Sequence, residues 1–169
     1  MLLPGLALFA ICLVASAAVV LTFLQTNPRI EKLMAEEKRE AMAKVLPQAE
    51  RFVPAKKKSI SFDRGVAGGK VVGEVFSASV PGYSGNVEME VGIRGGQVIG
   101  VEIVKETETP GLGTKVRDAE FLSQFRGKKA TDPLEVREDV DAITGATISS
   151  RAVANGVRRA LDQDAEVRK

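Results

Sequence analysis

The sequence contains no histidine and no tryptophan, and its one cysteine, Cys12, lies within an apolar run. The missing histidines exclude a histidine-ligated haem, a typical zinc site and a Ser-His-Asp or Cys-His catalytic group. A single cysteine excludes a cysteine-held iron–sulfur cluster and any disulfide within the chain. We therefore predict no metal site and no catalytic side chain, so that any redox chemistry needs an organic cofactor.

Charge of neither sign dominates the sequence. The 24 Lys and Arg residues nearly balance the 22 Asp and Glu residues, for a net charge of +2. No basic patch is interleaved with aromatic side chains, so we predict no nucleic-acid partner. A length of 169 residues suits one domain with an appendage.

Residues 1–24 carry no charged side chain. About twenty apolar residues suffice to cross the hydrocarbon core of a bilayer. A cleaved signal peptide is the alternative, and Ala15–Ala18 imitates a cleavage site. However, a basic leader is missing and apolar residues continue beyond Ala18. We therefore predict a retained transmembrane anchor over residues 1–26, with the lipid bilayer as its partner.

The segment 27–58 is predicted to be a connecting helix and a linker. Pro28 suits the first turn of a new helix, and 29–45 is rich in helix formers. A weak apolar stripe there suits either a helix that contacts the membrane or a partner, or a plain spacer. Pro47 is expected to end the helix, and the lysines at 56–58 to lie in a solvated linker.

From Ser59 onward, apolar residues alternate with polar or small ones, as in strands with one buried face. Gly95-Gly96 predicts a two-residue hairpin turn. These signals predict an antiparallel β-meander, and with flanking helices the fold class is α+β. The predicted strands begin at Ile60 and cover 71–80, 87–93 and 99–103.

The C-terminal third combines loops with two predicted helices. Residues 106–113 hold too many Gly and Pro for regular structure, and 119–125 suits a short helix. A loop and a strand over 128–140 are expected to lead to Asp141. A longer helix then begins near Thr147. Its predicted core stripe is Ile148, Ala152, Val153, Val157, Ala160 and Leu161.

The helix start favours an anion. Thr147, Ser149 and Ser150 lie where unpaired N–H groups and the positive end of the helix dipole attract a phosphate. An ordinary helix cap after a tight turn is the simpler interpretation. The wider stretch resembles the flavinylation motif Asp-x-x-(Ser/Thr)-Gly-Ala-Thr of the FMN-binding domain family. Its residues here are Asp141, Thr144, Gly145, Ala146 and Thr147.

That resemblance implies a cofactor and a maturation partner. In the family, a flavin transferase links FMN to the last threonine through a phosphodiester, which implies Thr147 as the attachment residue. Two further motifs, Gly82–Gly85 and Glu108–Gly113, precede it in the same order as in the family of G subunits of Rnf ion-translocating oxidoreductase complexes. The C subunit of the sodium-pumping NADH:quinone oxidoreductase is related to that family.

The Rnf resemblance implies an electron relay between ferredoxin and NAD, coupled to Na⁺ or H⁺ movement. The implied partners are the other membrane subunits of the complex, and little activity is expected of the chain alone. The resemblance places an FMN-binding domain, residues 59–169, on the extracytoplasmic side of the cell membrane. The basic residues of 29–44 indicate the opposite orientation by the positive-inside rule. We follow the resemblance.

The loop 108–113 can hold a flavin ring. Pro110 stiffens it, Gly111 lets the backbone approach the ligand, and Leu112 offers an apolar face. Thr109 belongs to the same predicted site, and Glu108 is expected to hold the loop through backbone N–H groups. A plain surface turn is the alternative.

Tyr83 and Glu106 lie within or beside these motifs. Tyr83 could stack near the flavin, but packing in the core or a loop is the simpler expectation. Glu106 stands where relatives often carry histidine, so no role of that histidine is transferred. Two other functions also stay open at this point. One is a non-redox extracytoplasmic binding or assembly module, and the other is the same flavodomain in another membrane redox chain.

Overall fold

The computed structural model describes residues 2–169, with side chains from Pro4 onward. A long helix precedes an antiparallel sheet, which is followed by short helical turns and a second long helix. The predicted α+β class is confirmed. Helix α1 covers Leu2–Val45, strands β1 to β5 cover Arg51–Lys57, Ile60–Ala67, Lys70–Pro81, Asn86–Arg94 and Gln97–Lys105, a 3₁₀ helix covers Gly113–Arg117, and helices α2 and α3 cover Ala119–Ser123 and Thr147–Arg168.

Helix α1 is a single element of 44 residues, about 66 Å at 1.5 Å per residue. Within residues 2–169 it is the one helix long and apolar enough to cross a membrane. The prediction that Pro28 begins a separate helix is wrong, because Pro28 lies inside α1. A proline removes one backbone hydrogen bond, and here the turns on both sides keep theirs. The chain groups into a unit that ends at Glu37 and a second unit, Lys38–Lys169.

The predicted linker is also corrected by the structure. Pro47 and Gln48 form a turn, but Arg51–Lys57 is strand β1, paired with β2 from Arg51↔Val66 to Lys57↔Ile60. Pro54 is tolerated because β1 is an edge strand, where one missing N–H costs no ladder bond. The second unit therefore includes the last turns of α1 and begins well before residue 59.

The five strands form one sheet in the order β1-β2-β3-β4-β5, each antiparallel to its neighbours. The predicted meander is confirmed. Gly95 and Gly96 make the β4–β5 turn with φ of 64° and 81°, values that side chains resist and that suit a tight hairpin. Each strand pairs with the next strand along the chain, so the connecting loops are short. The C-terminal ends of β3 and β5 lie close to α3.

Helix α3 covers one face of this sheet. Its buried side chains, among them Val153, Val157 and Leu161, pack on Phe76, Met89 and other apolar residues of the strands. Ile148 was predicted to join that stripe, but it is 51% exposed. Ile148 lies in the first turn of α3 and lines a surface cleft instead of the core. The remaining stripe residues are buried as predicted.

The opposite face of the sheet is covered by the C-terminal end of α1. Val45 and Leu46 are buried against glycines that are paired across neighbouring strands, Gly65 with Gly73 and Gly92 with Gly100. A side chain at Gly92 would overlap the Val45 carbonyl oxygen. The prediction of one buried face for β4 is therefore wrong, because Gly92 and its neighbours are covered on both sides.

A buried carboxylate lies beneath this end of α1. Glu90 is 4% exposed and accepts the hydroxyl hydrogen of Ser77, whose Oγ lies 2.9 and 3.0 Å from the two carboxylate oxygens. Lys38 Nζ lies 3.9 Å from Glu90 and 3.5 Å from Asp63. Burial raises the pKa of the Glu90 carboxyl, whereas Lys38 and Ser77 act in the opposite direction. Glu90 therefore links the end of α1 to the sheet through an ion pair with Lys38 and a hydrogen bond from Ser77.

No strand leads into Asp141, contrary to prediction: 128–140 holds only isolated bridges. Asp139 replaces strand pairing with side-chain bonds. Its carboxylate accepts the Glu135 N–H at 2.8 Å and Lys128 Nζ at 2.7 Å. Leu134 and Arg137 take positive φ, of 49° and 79°, which interrupts any extended run.

Candidate functional site

Three segments that are far apart in sequence meet at one cleft. They are the loop after β3, the loop after β5 and the turn before α3. The cleft holds about 450 Å³, within the usual range for small-molecule sites. Its lining residues are Tyr83, Thr109, Leu112, Gly113, Gly145, Ala146, Thr147, Ile148 and Ser149.

The turn before α3 is held by the helix that it precedes. Gly145 takes φ of 82°, which a side chain would resist. The Ala146 N–H donates to Ile143 at 2.9 Å. The Ser150 hydroxyl accepts the Ile143 N–H at 3.1 Å and donates to the Ala146 carbonyl at 3.0 Å. The turn therefore has one defined conformation, and it ends at Thr147.

Thr147 is the first residue of α3, and no side chain caps that helix end. It is half-buried and lines the cleft. The unpaired N–H groups of a first helical turn and the helix dipole favour a negatively charged group. Ser149 and Ser150, which were grouped with Thr147 by sequence, are buried and bonded within the protein. Of the three hydroxyls, Thr147 is the one placed for an external anion.

The loop after β5 packs against that turn. Gly111 has φ of 76° and donates its N–H to the Thr114 hydroxyl at 3.0 Å. The Gly113 N–H donates to the Thr109 carbonyl at 2.9 Å. A Cβ built on Gly145 would lie 3.3 Å from Leu112 Cδ2. The two walls of the cleft are therefore in close contact at this point.

Glu108 lies under the cleft and is 4% exposed. Its Oε1 accepts the N–H groups of Tyr83, at 2.9 Å, and Ser84, at 3.3 Å. Its Oε2 accepts the hydroxyl hydrogen of Ser149. The predicted use of Glu108 as a backbone acceptor is correct in kind, but the N–H groups belong to the loop after β3. The bond from Ser149 to Glu108 was not predicted, because a serine in the first turn of a helix is expected to cap it or to bind an anion.

Glu106 stabilises the start of the same loop. One carboxylate oxygen accepts the Glu108 N–H at 2.7 Å, and the other accepts Arg117 Nε at 3.1 Å. Arg117 also donates to the carbonyl of Ile103 at 2.8 Å. Glu106 is thus an acceptor that stabilises the loop in this chain.

Large apolar side chains surround the cleft and stay open to solvent. Tyr83 is 67% exposed, Ile148 51% and Leu112 46%. Tyr83 was expected to pack in the core or a loop; it lies in the loop after β3, so the core alternative is wrong. Exposed apolar surface around a concave site is typical of a surface that a ligand covers. Ile148 was missed as a lining residue because its helical spacing matched the core stripe.

The remaining residues predicted for the site lie near the cleft but not on its wall. Pro110 and Gly111 are exposed in the loop after β5, and Thr144 is exposed in the turn. Asp141 is exposed, and its N–H donates to Gln124 Oε1 at 2.8 Å. The structure therefore brings together Thr109, Leu112, Gly145, Ala146 and Thr147, with Glu108 beneath them. Direct contact of the other four with a ligand stays a prediction.

Comparison with known proteins gives a family-level match to this region. Residues 82–162 match the FMN-binding domain family. That range includes the three segments that form the cleft. The cleft suits FMN, because it combines the Thr147 hydroxyl at an uncapped helix start with an apolar rim.

Relatives match along most of the chain. It is 35% identical to the G subunit of the ion-translocating oxidoreductase complex of Methanosarcina acetivorans, over 88% of this chain and 86% of that protein. It is 36% identical to the G subunit of the Na⁺-translocating ferredoxin:NAD⁺ oxidoreductase complex of Acetobacterium woodii, over 93% and 88%. It is 32% identical to the G subunit of the proton-translocating ferredoxin:NAD⁺ oxidoreductase complex of Clostridium ljungdahlii, over 90% of this chain and 85% of that protein.

Solved structures share the fold. Shewanella oneidensis NqrC superposes with a TM-score of 0.51 at 22% identity, covering 68% of this chain and 66% of that one. The C subunit of the Na⁺-translocating NADH-quinone reductase from Parabacteroides distasonis superposes with a TM-score of 0.52 at 20% identity. The superposition covers 63% of this chain and 61% of that one. At these identities the likeness concerns the fold alone.

Proposed function

Because this chain belongs to the family of G subunits of ion-translocating Rnf oxidoreductase complexes, we propose that it carries FMN on Thr147 and relays electrons within such a complex. The observation that carries the proposal is the placement of Thr147 at an uncapped helix start, inside a cleft with an apolar rim. The match to the FMN-binding domain over 82–162 favours this function over a non-redox assembly module. FMN, when bound, supplies the redox chemistry that the side chains lack.

Covalent attachment suits the chemistry of the site. The phosphodiester forms between Thr147 Oγ1 and the flavin phosphate. An activated donor is needed, by class a phosphoanhydride of FMN: its P–O anhydride bond breaks, its remaining phosphate leaves, and the threonine proton goes to a base. With no histidine in the sequence, we assign that base to a separate flavin transferase. Thr147 is then an acceptor in maturation and takes no part in turnover.

The cleft residues have distinct proposed roles toward the flavin. The N–H groups at the start of α3 hold the phosphate, while Tyr83, Leu112 and Ile148 cover the ring and exclude water. Thr109 and Gly113 present polar groups at the base of the cleft. A phosphodiester keeps the cofactor in place whatever its affinity, which matters on the outer side of a membrane, where dissociated FMN is lost by dilution.

The relay joins this chain to other membrane subunits. We propose that the complex transfers electrons between ferredoxin and NAD and couples this transfer to ion movement. The names of two relatives give the same reaction. Those names specify sodium in one case and protons in the other, so either coupling ion is compatible with this level of identity. The chain alone should show little turnover with soluble electron carriers.

Rapid-mixing spectroscopy of the purified complex tests the relay. After mixing with reduced ferredoxin, the absorbance of the flavin on this chain should fall at least as fast as steady-state turnover, and NAD⁺ should restore it. A flavin that stays oxidised throughout turnover would contradict the relay. The complex with Thr147→Ala serves as the control for absorbance changes from other cofactors.

We further propose that α1 anchors the chain in the membrane with the unit Lys38–Lys169 on the extracytoplasmic side. The support is the length and apolar composition of α1 together with the family. A Cys12→Ser, Thr131→Cys variant places the single thiol at an exposed loop position. A membrane-impermeant maleimide should label it in intact spheroplasts as strongly as after lysis. Labelling that needs lysis would put the domain in the cytoplasm.

A further inference from the structure

We infer that Glu108 is a positioning residue that fixes Tyr83 relative to Thr147, and so determines how the flavin ring is held. The inference rests on the proposed function, because it concerns the same cleft. Glu108 does not itself line the cleft. It acts through the segments that it joins.

One carboxylate ties together all three segments that form the cleft. Glu108 belongs to the loop after β5, and its Oε1 accepts two N–H groups of the loop after β3, from Tyr83 and Ser84. Its Oε2 accepts the hydroxyl of Ser149, in the first turn of α3. Ser149 is two residues from Thr147, so the bond fixes the attachment residue through the rigid helix. Glu108 thus connects the loop to which it belongs with the loop after β3 and with the start of α3.

The surrounding backbone leaves room for this carboxylate and little else. A Cβ on Gly82 would overlap Glu108 Oε1, and one on Gly113 would lie 2.7 Å from Glu108 Cβ and 2.9 Å from Oε2. Both distances are shorter than real side chains tolerate. The glycines of two cleft loops are therefore needed for close approach to Glu108, which is a packing requirement beyond flexible turns.

Tyr83 depends on this carboxylate for its position. Its side chain is 67% exposed and buries too little surface to hold itself. Its backbone is held by the bond to Glu108 and by the turn closed between Gly82 N–H and Gly85 carbonyl at 2.7 Å. Without Glu108, the loop keeps its own turn but loses its tie to the helix. The aromatic ring then no longer has a fixed distance from the flavin attachment point.

Hydrogen exchange of the flavin-free full chain tests the tie itself. In Glu108→Ala, the Tyr83 and Ser84 amides should exchange roughly ten- to hundredfold faster, the effect of losing a hydrogen bond to a charged acceptor. Glu108→Gln should restore slow exchange, because its amide oxygen accepts from the loop and its NH₂ donates to Ser149. Glu90→Ala is the matched control: it is equally buried and serine-bonded, but lies on the other face of the sheet.

Spectra of the flavin-loaded full chain test the functional consequence. Glu108→Ala should change the visible circular dichroism and the fluorescence yield of the flavin, with Glu108→Gln close to the parent and Glu90→Ala unchanged. Should Glu108→Ala not fold, Ser149→Ala removes one tie and should give the same spectral change in smaller measure. Unchanged amide exchange in Glu108→Ala would overturn the inference. Faster exchange in this variant with an unchanged flavin spectrum would overturn it as well. Failure of the proposed function is seen separately, as a parent chain without flavin.

Discussion

Replacing Thr147 with alanine should abolish covalent flavin completely. When the variant is co-expressed with a flavin transferase, its band on a denaturing gel should show no flavin fluorescence, whereas the parent band fluoresces. The loss is total because the other hydroxyls in the first turn of α3, those of Ser149 and Ser150, are buried and bonded within the protein. Stability should change by no more than about 0.5 kcal/mol, since the side chain is only half-buried and does not cap α3.

The matched control is Thr131→Ala, an exposed threonine outside the cleft. Its band should fluoresce like the parent. A fluorescent Thr147→Ala band would mean that the flavin is linked to another residue. Absence of fluorescence from both the parent and the control would contradict covalent attachment. Urea denaturation of the unmodified chains checks that Thr147→Ala is folded.

Adding a single methyl group at Gly92 should lower the free energy of unfolding by about 2 to 3 kcal/mol, the usual cost of overpacking a closed contact. The new Cβ would overlap the Val45 carbonyl oxygen and lie 2.9 Å from the carbonyl carbon. These are backbone atoms and cannot rotate away, so the end of α1 must move off the sheet. Urea denaturation of the detergent-solubilised full chain, followed by circular dichroism, measures the effect.

Ser79→Ala provides the comparison for Gly92→Ala. Ser79 is an exposed residue of the neighbouring strand β3, and its contact to Arg159 uses the backbone carbonyl. Its substitution should change stability by less than about 0.5 kcal/mol. Equal stability of Gly92→Ala and the parent would mean that Val45 does not rest on the sheet as described.

Much of the fold follows from local periodicity. The alternation over β4 and β5 and the Gly95-Gly96 turn are short-range signals, and they predicted the meander. The core stripe of α3 after Ile148 is also local. For the hairpin turn and the α3 stripe, neighbouring residues determine the local structure, so the sequence pattern and the structure agree. For β4 the alternation predicts the strand but not the cover on its second face.

The features that sequence reasoning missed depend on distant partners. Nothing local to Gly92 or Gly100 shows that Val45 will lie on them, and strand β1 exists only because β2 pairs with it despite Pro54. Ile148 has core spacing but is exposed at the cleft. Such outcomes are set by tertiary contacts, which single-sequence propensities do not contain.

The site itself was predictable in part. The positions of Gly145, Ala146 and Thr147 follow from a short motif whose turn and helix start are local. The use of Glu108 to join two other segments is long-range, as is the exposure of Tyr83, so neither could be read from the residues around them. The motif thus indicates the proposed attachment residue, and the structure adds the contacts that hold the cleft around it.

The most direct measurement is the mass of the peptide containing Thr147, taken from protein isolated from its native membrane. Flavin attachment at this residue predicts a mass increase equal to one FMN less one water, with fragmentation that places the addition on Thr147. A peptide recovered only at its unmodified mass would contradict the flavin-carrier account.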